Sequence, residues 1–185
     1  PEMRAPPAPA PSVKSLDMTV DVDLSLSTQV SKVCETCIGI LRSLRKLIPL
    51  LSRAVLRTVF SAVILSHLDY GNSLYLDLPT ASLAKLQFIQ NDAARLILNL
   101  SSWAHATPAV KELHWLPVAQ RVKFKALCFA FRSLKSEALL FVREKLVPYV
   151  PHRALRSSSA RLLSVQRFRR LKMGGWRFSV LVPGL

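Results

Sequence analysis

The sequence predicts a mainly α-helical fold: a helical bundle with a short N-terminal strand and a small β or irregular, basic segment at the C-terminus. Three observations carry that reading. Half of the 185 residues are hydrophobic, enough for one domain with a core. Apolar side chains recur at three- and four-residue spacing through most of residues 28–135, the period of helices buried along one face. Twelve prolines against five glycines make the connections stiff, and Pro49, Pro79, Pro117, Pro148 and Pro151 mark where helices close or open.

Residues 1–12 read as an extended linker, with alanine between the prolines. Val13 to Leu26 alternates apolar and polar residues around MTVDVDL and predicts one short strand. Asp21 and Asp23 fall on one side of it, either as a solvated strand end or as two carboxylates sharing a cation. From Thr28 to Ile48 a helix places Val30, Val33, Cys37, Ile40, Leu41, Leu44 and Ile48 on its apolar face. Arg42, Arg45 and Lys46 gather at its C-terminal end, where they offset the helix dipole. Ser52 caps a second helix through His67, and DYGNSLYLDL is a turn segment.

Pro79 and Thr80 open a third helix to about Asn99, with Leu83, Leu86, Ile89, Ala93, Leu96 and Ile97 inward and Lys85, Gln90 and Asp92 outward. A short helix ends at His114-Trp115. A long one runs from Pro117 to Lys135, and another covers Glu137 to Leu146. After Pro151 the periodicity fails, which predicts short strands or an ordered arm. The chain therefore divides into a linker (1–12), a helical domain (13–150) and a basic C-terminal arm (151–185).

The formal charge is +15, and it is unevenly placed. Residues 1–120 hold 11 basic and 9 acidic side chains, whereas residues 121–185 hold 15 basic ones against Glu137 and Glu144 alone. Such a balance repels itself unless a polyanion or anionic surface relieves it. The N-terminus has no basic stretch followed by an apolar run, so secretion is not predicted and an intracellular place, nuclear or cytoplasmic, is. The three cysteines are then thiols. No stretch approaches the roughly 20 apolar residues of a membrane helix, since Ala54 to Leu65 is short and contains Arg57. The first residue, Pro1, and the closing PGL read as a piece of a longer polypeptide.

The long helix carries the sharpest functional signal. At 100° per residue, with Arg121 as zero, Lys125 lies at about 40°, Arg132 at about 20° and Lys135 at about −40°, while Val122, Phe124, Leu127, Phe129, Phe131 and Leu134 fill most of the remaining circle. A helix apolar nearly all round is mostly buried, so the four cations form its wet stripe, suited to tracking phosphates or serving only as a solvated face. The arm adds Arg153, Arg156, Arg161, Arg167, Arg169, Arg170, Lys172 and Arg177, interleaved with Phe168, Trp176 and Phe178. Guanidinium forks grip phosphates and aromatic faces stack on bases, a combination used on nucleic acids; an acidic protein or anionic lipid is the alternative.

No catalytic centre or cofactor site emerges. Cys34-Glu-Thr-Cys37 has metal-ligand spacing but lies within a helix and lacks a second pair, so packing is the reading, with no metal. Ser66-His67-Leu68-Asp69 has triad residue types without a nucleophile elbow. Asn99-Leu100-Ser101 is a glycosylation pattern read as a helix end. Gly174-Gly175 lacks the strand and helix of a phosphate loop.

The segments LDYGNSLYLDLP, LQFIQNDAARLILNL, ATPAVKELHWLPVAQRVKFK and LVPYVPHRALRSSSARLL, in this order, resemble the region downstream of the reverse transcriptase palm in non-LTR (LINE-type) retrotransposon polyproteins. The likeness runs from about Val13 to Pro183. It implies that VKSLDMTVDVDLSL is similar to the last palm strand and that the helices are a thumb and its extension. The implied partners are RNA or an RNA–DNA hybrid and the upstream palm and fingers. The parent of such a chain is an RNA-directed DNA polymerase. Here the palm's adjacent aspartates are absent, and two-metal chemistry needs converging carboxylates, so no catalytic residue carries over and the chain alone is read as nonenzymatic. It also departs from the family at Leu16-Asp17, where Leu-Gly is usual, at Gly71, where cysteine is usual, and near its end, where a Trp-Asn pair is usual. The alternatives are a helical protein-interaction scaffold or a non-functional remnant.

Overall fold

A computed structural model describes residues 12–23, 25–135, 140–150, 153, 162–164 and 182. These residues are mainly helical, with a two-stranded antiparallel hairpin at the N-terminus. The single strand expected there is two: β1 (Ser12–Ser15) and β2 (Met18–Asp21), with Ser15 opposite Met18. Leu16 and Asp17 form the turn, at φ 47° and 62°. Positive φ at both positions is the geometry of a type I′ hairpin, which normally announces itself with Asn or Gly, and neither stands here. Lys14 and Asp17 pair across the turn at 2.6 Å.

The hairpin is tied to α1 (Ser27–Arg45) by the buried Thr19, whose N–H donates to Gln29 Oε1 at 2.8 Å. Asp21, half-buried at the end of β2, is hydrogen-bonded as well as solvated, and Asp23 beyond it is exposed. The Asp21 carboxylate accepts from Ser25 Oγ, Ser27 Oγ and the Thr28 N–H, and so closes the start of α1. Partial desolvation pushes the Asp21 carboxyl up, but the hydrogen bonds from Thr28 and Ser25 outweigh it and hold the group below the usual carboxylate range.

α1 buries Val30, Val33, Cys37, Leu41 and Leu44, as the spacing predicts, and ends in a 3₁₀ turn (Ile48–Leu50) around Pro49. Ser52 Oγ accepts from Val55 N and caps α2 (Arg53–Phe60). α2 continues through a π turn (Ser61–Leu65) into α3 (Ser66–Asp69). The wider turn lets Ile64, Leu65 and Leu68 all face the core. Gly71 then takes φ 63°, and a Cβ there would run into Met18 Sδ, so this position needs glycine on two counts. A 3₁₀ turn (Asn72–Tyr75) leads to α4 (Thr80–Ile97), whose Ser82 and Leu83 N–H groups bond to the Pro79 carbonyl.

α4 and α5 (Ala106–Glu112) end alike. Asn99 at φ 52° and His114 at φ 56° are the left-handed residues just past the two helices. Leu100 N bonds back to Arg95 O and Asn99 N to Leu96 O; Trp115 N bonds to Val110 O and His114 N to Lys111 O. Both ends are therefore Schellman motifs built without glycine. The sequence pattern Asn99-Leu100-Ser101 is such a helix end.

The core lies between α1, α4 and the α2–α3 unit, where Phe60, Ile64, Tyr75, Leu86 and Ile89 are almost wholly enclosed. Gln90, expected to face outward, is fully buried. Its Nε2 donates to Leu116 O at 2.9 Å, and its Oε1 accepts from Gln87 Nε2. Gln87 Oε1 in turn accepts the Val118 N–H at the start of α6 (Val118–Lys135). A glutamine pair on α4 thus satisfies backbone groups of the connection into α6 that would otherwise be buried unpaired.

α6 is followed by α7 (Leu140–Arg143), within the segment expected to be helical from Glu137; residues 136–139 lie outside the described ones. Beyond it, Pro148 and Leu163 form an isolated antiparallel bridge, with Tyr149 N bonded to Leu162 O and Ser164 N to Val147 O. Leu146 and Val182 join Ala126 and Ala130 in a second, smaller apolar cluster, against which Leu163 packs. Among the described residues no helix is long and apolar enough to cross a membrane.

Candidate nucleic-acid interface

α6 meets the rest of the molecule through Val118, Val122, Ala126, Ala130 and Ser133, residues four or three apart that form one narrow buried stripe. In its second half the stripe is made of small residues, Ala126, Ala130 and Ser133. The expectation of a helix buried nearly all round is therefore wrong: Phe124 and Phe131 are each 59% exposed, and Leu127 and Leu134 also face outward. The signal in the sequence was the run Val122, Ala126, Ala130 at four-residue spacing, which marks the contact face more narrowly than the large apolar residues do.

Of the four cations on the stripe, Arg121 differs from the others. Its Nε donates to Asp69 Oδ1 at 2.8 Å and its second nitrogen to Asp69 Oδ2, and Asp69 Oδ1 also accepts from Asn72 Nδ2. The Arg121 side chain is only 19% exposed. It holds α6 to the end of α3, a planar fork matched to a carboxylate, and is not presented to a ligand. Lys125, Arg132 and Lys135 are exposed. The ammonium of Lys135 lies 4.6 Å from the centre of the Phe131 ring, and that of Lys125 lies 6.0 Å from Phe129. Lys123 is exposed on the same helix.

The outer surface of α6 thus combines three of the predicted cations with two exposed phenylalanines that the sequence pattern assigns to the core. Chemically it offers point charges for phosphates beside flat apolar faces. Of the arm, Arg153 is described and exposed; Arg156, Arg161, Arg167, Arg169, Arg170, Lys172 and Arg177 lie outside the described residues.

The other constellations resolve into packing. Cys37 is fully buried on α1, and desolvation pushes its thiol up to about 11; burial raises the Cys34 thiol as well, so neither is poised as a thiolate. Among the described residues no group of three or more His, Cys, Asp or Glu side chains converges as a metal site. In Ser66-His67-Leu68-Asp69 the serine hydroxyl donates to Val63 O and the aspartate is held by Arg121, so the triad types do not meet. Arg57 donates to Leu113 O and Arg95 to Ala104 O, which makes both of them braces for loops. Compared with models of protein families, with curated proteins and with solved structures, the chain matches none.

Proposed function

We propose that this chain is the nucleic-acid-gripping region of a non-LTR retrotransposon reverse transcriptase, the part that follows the palm, with no catalytic activity of its own. Its ligand is RNA or an RNA–DNA hybrid, and in the parent polyprotein it works beside the palm and fingers, within the cell. The observation that carries the reading is the outer face of α6, where exposed Lys125, Arg132 and Lys135 stand beside exposed Phe124 and Phe131 on a helix anchored from behind. Cations whose spacing is fixed before a ligand arrives lose little order on binding, which favours them over a segment that must be ordered at that moment. The tail arginines and lysine add charge to the same reading.

The test is hybrid binding by the full chain as a function of salt, with Lys125, Arg132 and Lys135 each replaced by glutamine. The triple variant should fold like the parent and lose about 2 from the slope of log K against log salt, near 0.7–0.9 per phosphate contact. Equal affinity and slope in the parent and the variant would remove α6 from the interface. The chain alone should extend no primer with magnesium or manganese. A second reading, a helical protein-interaction scaffold, is favoured by Leu127 and Leu134, which widen the exposed apolar face beyond what phosphate contacts need.

A further inference from the structure

A groove of about 860 Å³ lies at the C-terminal end of α4, between the end of α1, the Ile48–Leu50 turn and the start of α2, and no residue of α6 lines it. Its walls are largely apolar, Leu51 and Leu98 among them, and Arg45 and Arg53 stand in its lining. Residues 36–68, which supply half of the lining, contain five basic side chains and no acidic one. Arg53 shares only a loose ion pair with Glu112, at 3.5 Å with both side chains more than half exposed, the kind that water and salt readily replace.

The loop that closes the groove is braced rather than slack. Beyond the Schellman turn at Asn99, Ala104 N bonds to Ser101 O, and Arg95 Nε holds Ala104 O at 2.9 Å. On this loop Trp103, the residue after Ser102 of the groove lining, is 93% exposed. A large indole left in water on a held loop is an apolar surface that the described residues do not cover, and tryptophan is highly buried on average.

Two cations, an apolar trough and an exposed indole match the two faces of an unpaired nucleotide, its phosphate and its base. A duplex hides its base faces, and an acidic peptide would use the arginines but not the indole. We infer that this groove is a site for single-stranded nucleic acid, in which Arg45 and Arg53 hold phosphates and Trp103 stacks on a base. The inference rests on the reading of the chain as nucleic-acid-binding but uses residues separate from α6.

The experiment measures binding of a labelled ten-nucleotide oligothymidylate to the full chain by fluorescence anisotropy across a salt series. Trp103→Ala should weaken binding about 5- to 100-fold with an unchanged salt slope, as expected for lost stacking. Arg45→Gln with Arg53→Gln should reduce the slope by about 1.4, near 0.7 for each phosphate on a single strand. Arg45→Gln alone breaks no ion pair among the described residues, so it separates ligand contact from any loosening of the Arg53–Glu112 contact, and thermal melts of all variants check the fold. Ultraviolet cross-linking should place the oligomer on the peptide that holds Trp103. Parent chain that fails to bind the decamer, or Trp103→Ala that binds it like the parent, would overturn the inference. So would a polyglutamate decamer that binds as tightly through the same arginines, which would assign the groove to an acidic protein. If the groove variants lose the decamer while the α6 triple variant still grips the hybrid like the parent, the α6 reading fails and the groove stands; the reverse pattern removes the groove alone.

Discussion

The guanidinium of Arg121 closes on both carboxylate oxygens of Asp69 and joins the first turn of α6 to the last residue of α3. Asp69 and Asn72 come from LDYGNSLYLDLP, and Arg121 from ATPAVKELHWLPVAQRVKFK. A second junction joins Gln87 and Gln90 of LQFIQNDAARLILNL to Leu116 and Val118 of the same segment. Three of the four segments that carry the resemblance therefore meet, and several of their polar residues serve the frame that holds α6 in place.

Arg121→Gln should accordingly act on stability first. It leaves a half-buried carboxylate with Asn72 as its remaining side-chain partner, a loss of about 1–3 kcal/mol, or roughly 2–10 °C in melting temperature for a chain of this size. Combining it with Asp69→Asn should cost less than the two changes added together, because they break one interaction. Additive effects in a thermal melt would show that the two residues are not coupled.

Gly71→Cys should destabilise the fold by about 1–3 kcal/mol, although cysteine is the usual residue in the family that the sequence resembles. The added Cβ meets Met18 Sδ, and the backbone at φ 63° disfavours any side chain. Adding Met18→Ala should recover the part due to the clash and leave the part due to φ. A Gly71→Cys chain that melts like the parent would mean that β2 and the turn shift apart at no cost.

What the sequence made legible follows from period and punctuation. The apolar faces of α1 and α4 and the cap at Ser52 stand where spacing and proline put them. The hairpin was not legible, because Leu16-Asp17 turns the chain without the glycine that signals such a turn. Gln90 was not either, since a polar residue on a helix reads as outward unless the carbonyl waiting for it, here Leu116 O, is known. On α6 the large apolar residues misled: Ala126 and Ala130 mark the buried face, and the residues packed there, Leu146 and Val182, come from beyond the helix. In the candidate interface the chemical types were legible in advance, whereas the consumption of Arg121 by Asp69 needed a partner 52 residues away.

Acid should weaken the junction between the hairpin and α1. The Asp21 carboxyl titrates below its ordinary value in the folded chain, so the unfolded chain takes up its proton first as pH falls. Its contribution is complete above the ordinary carboxylate pKa of about 4 and is lost as pH drops through the lower folded value. Melts of the parent and of Asp21→Asn should differ at pH 7 and converge as the pH falls below about 4. A difference that persists undiminished to pH 2 would show that the charge on Asp21 is not what closes α1.

The face of α6 mixes two kinds of contact that salt can separate. Phosphate contacts through Lys125, Arg132 and Lys135 release counterions, so their loss changes the slope of log K against log salt. Stacking on Phe124 or Phe131 releases none; removing it shifts log K at every salt concentration by a similar amount, about 1–3 kcal/mol per base. Phe124→Ala with Phe131→Ala should also leave the melting temperature nearly unchanged, because both rings already stand largely in water. Filter binding of the hybrid and of a single strand, each over a salt series, checks both statements. Parallel lines displaced downward for the phenylalanine pair, on the single strand more than on the hybrid, would make these rings base contacts. If both nucleic acids bind the pair variant like the parent while the lysine and arginine variant loses slope, the rings belong to a protein contact and only the cations meet phosphate.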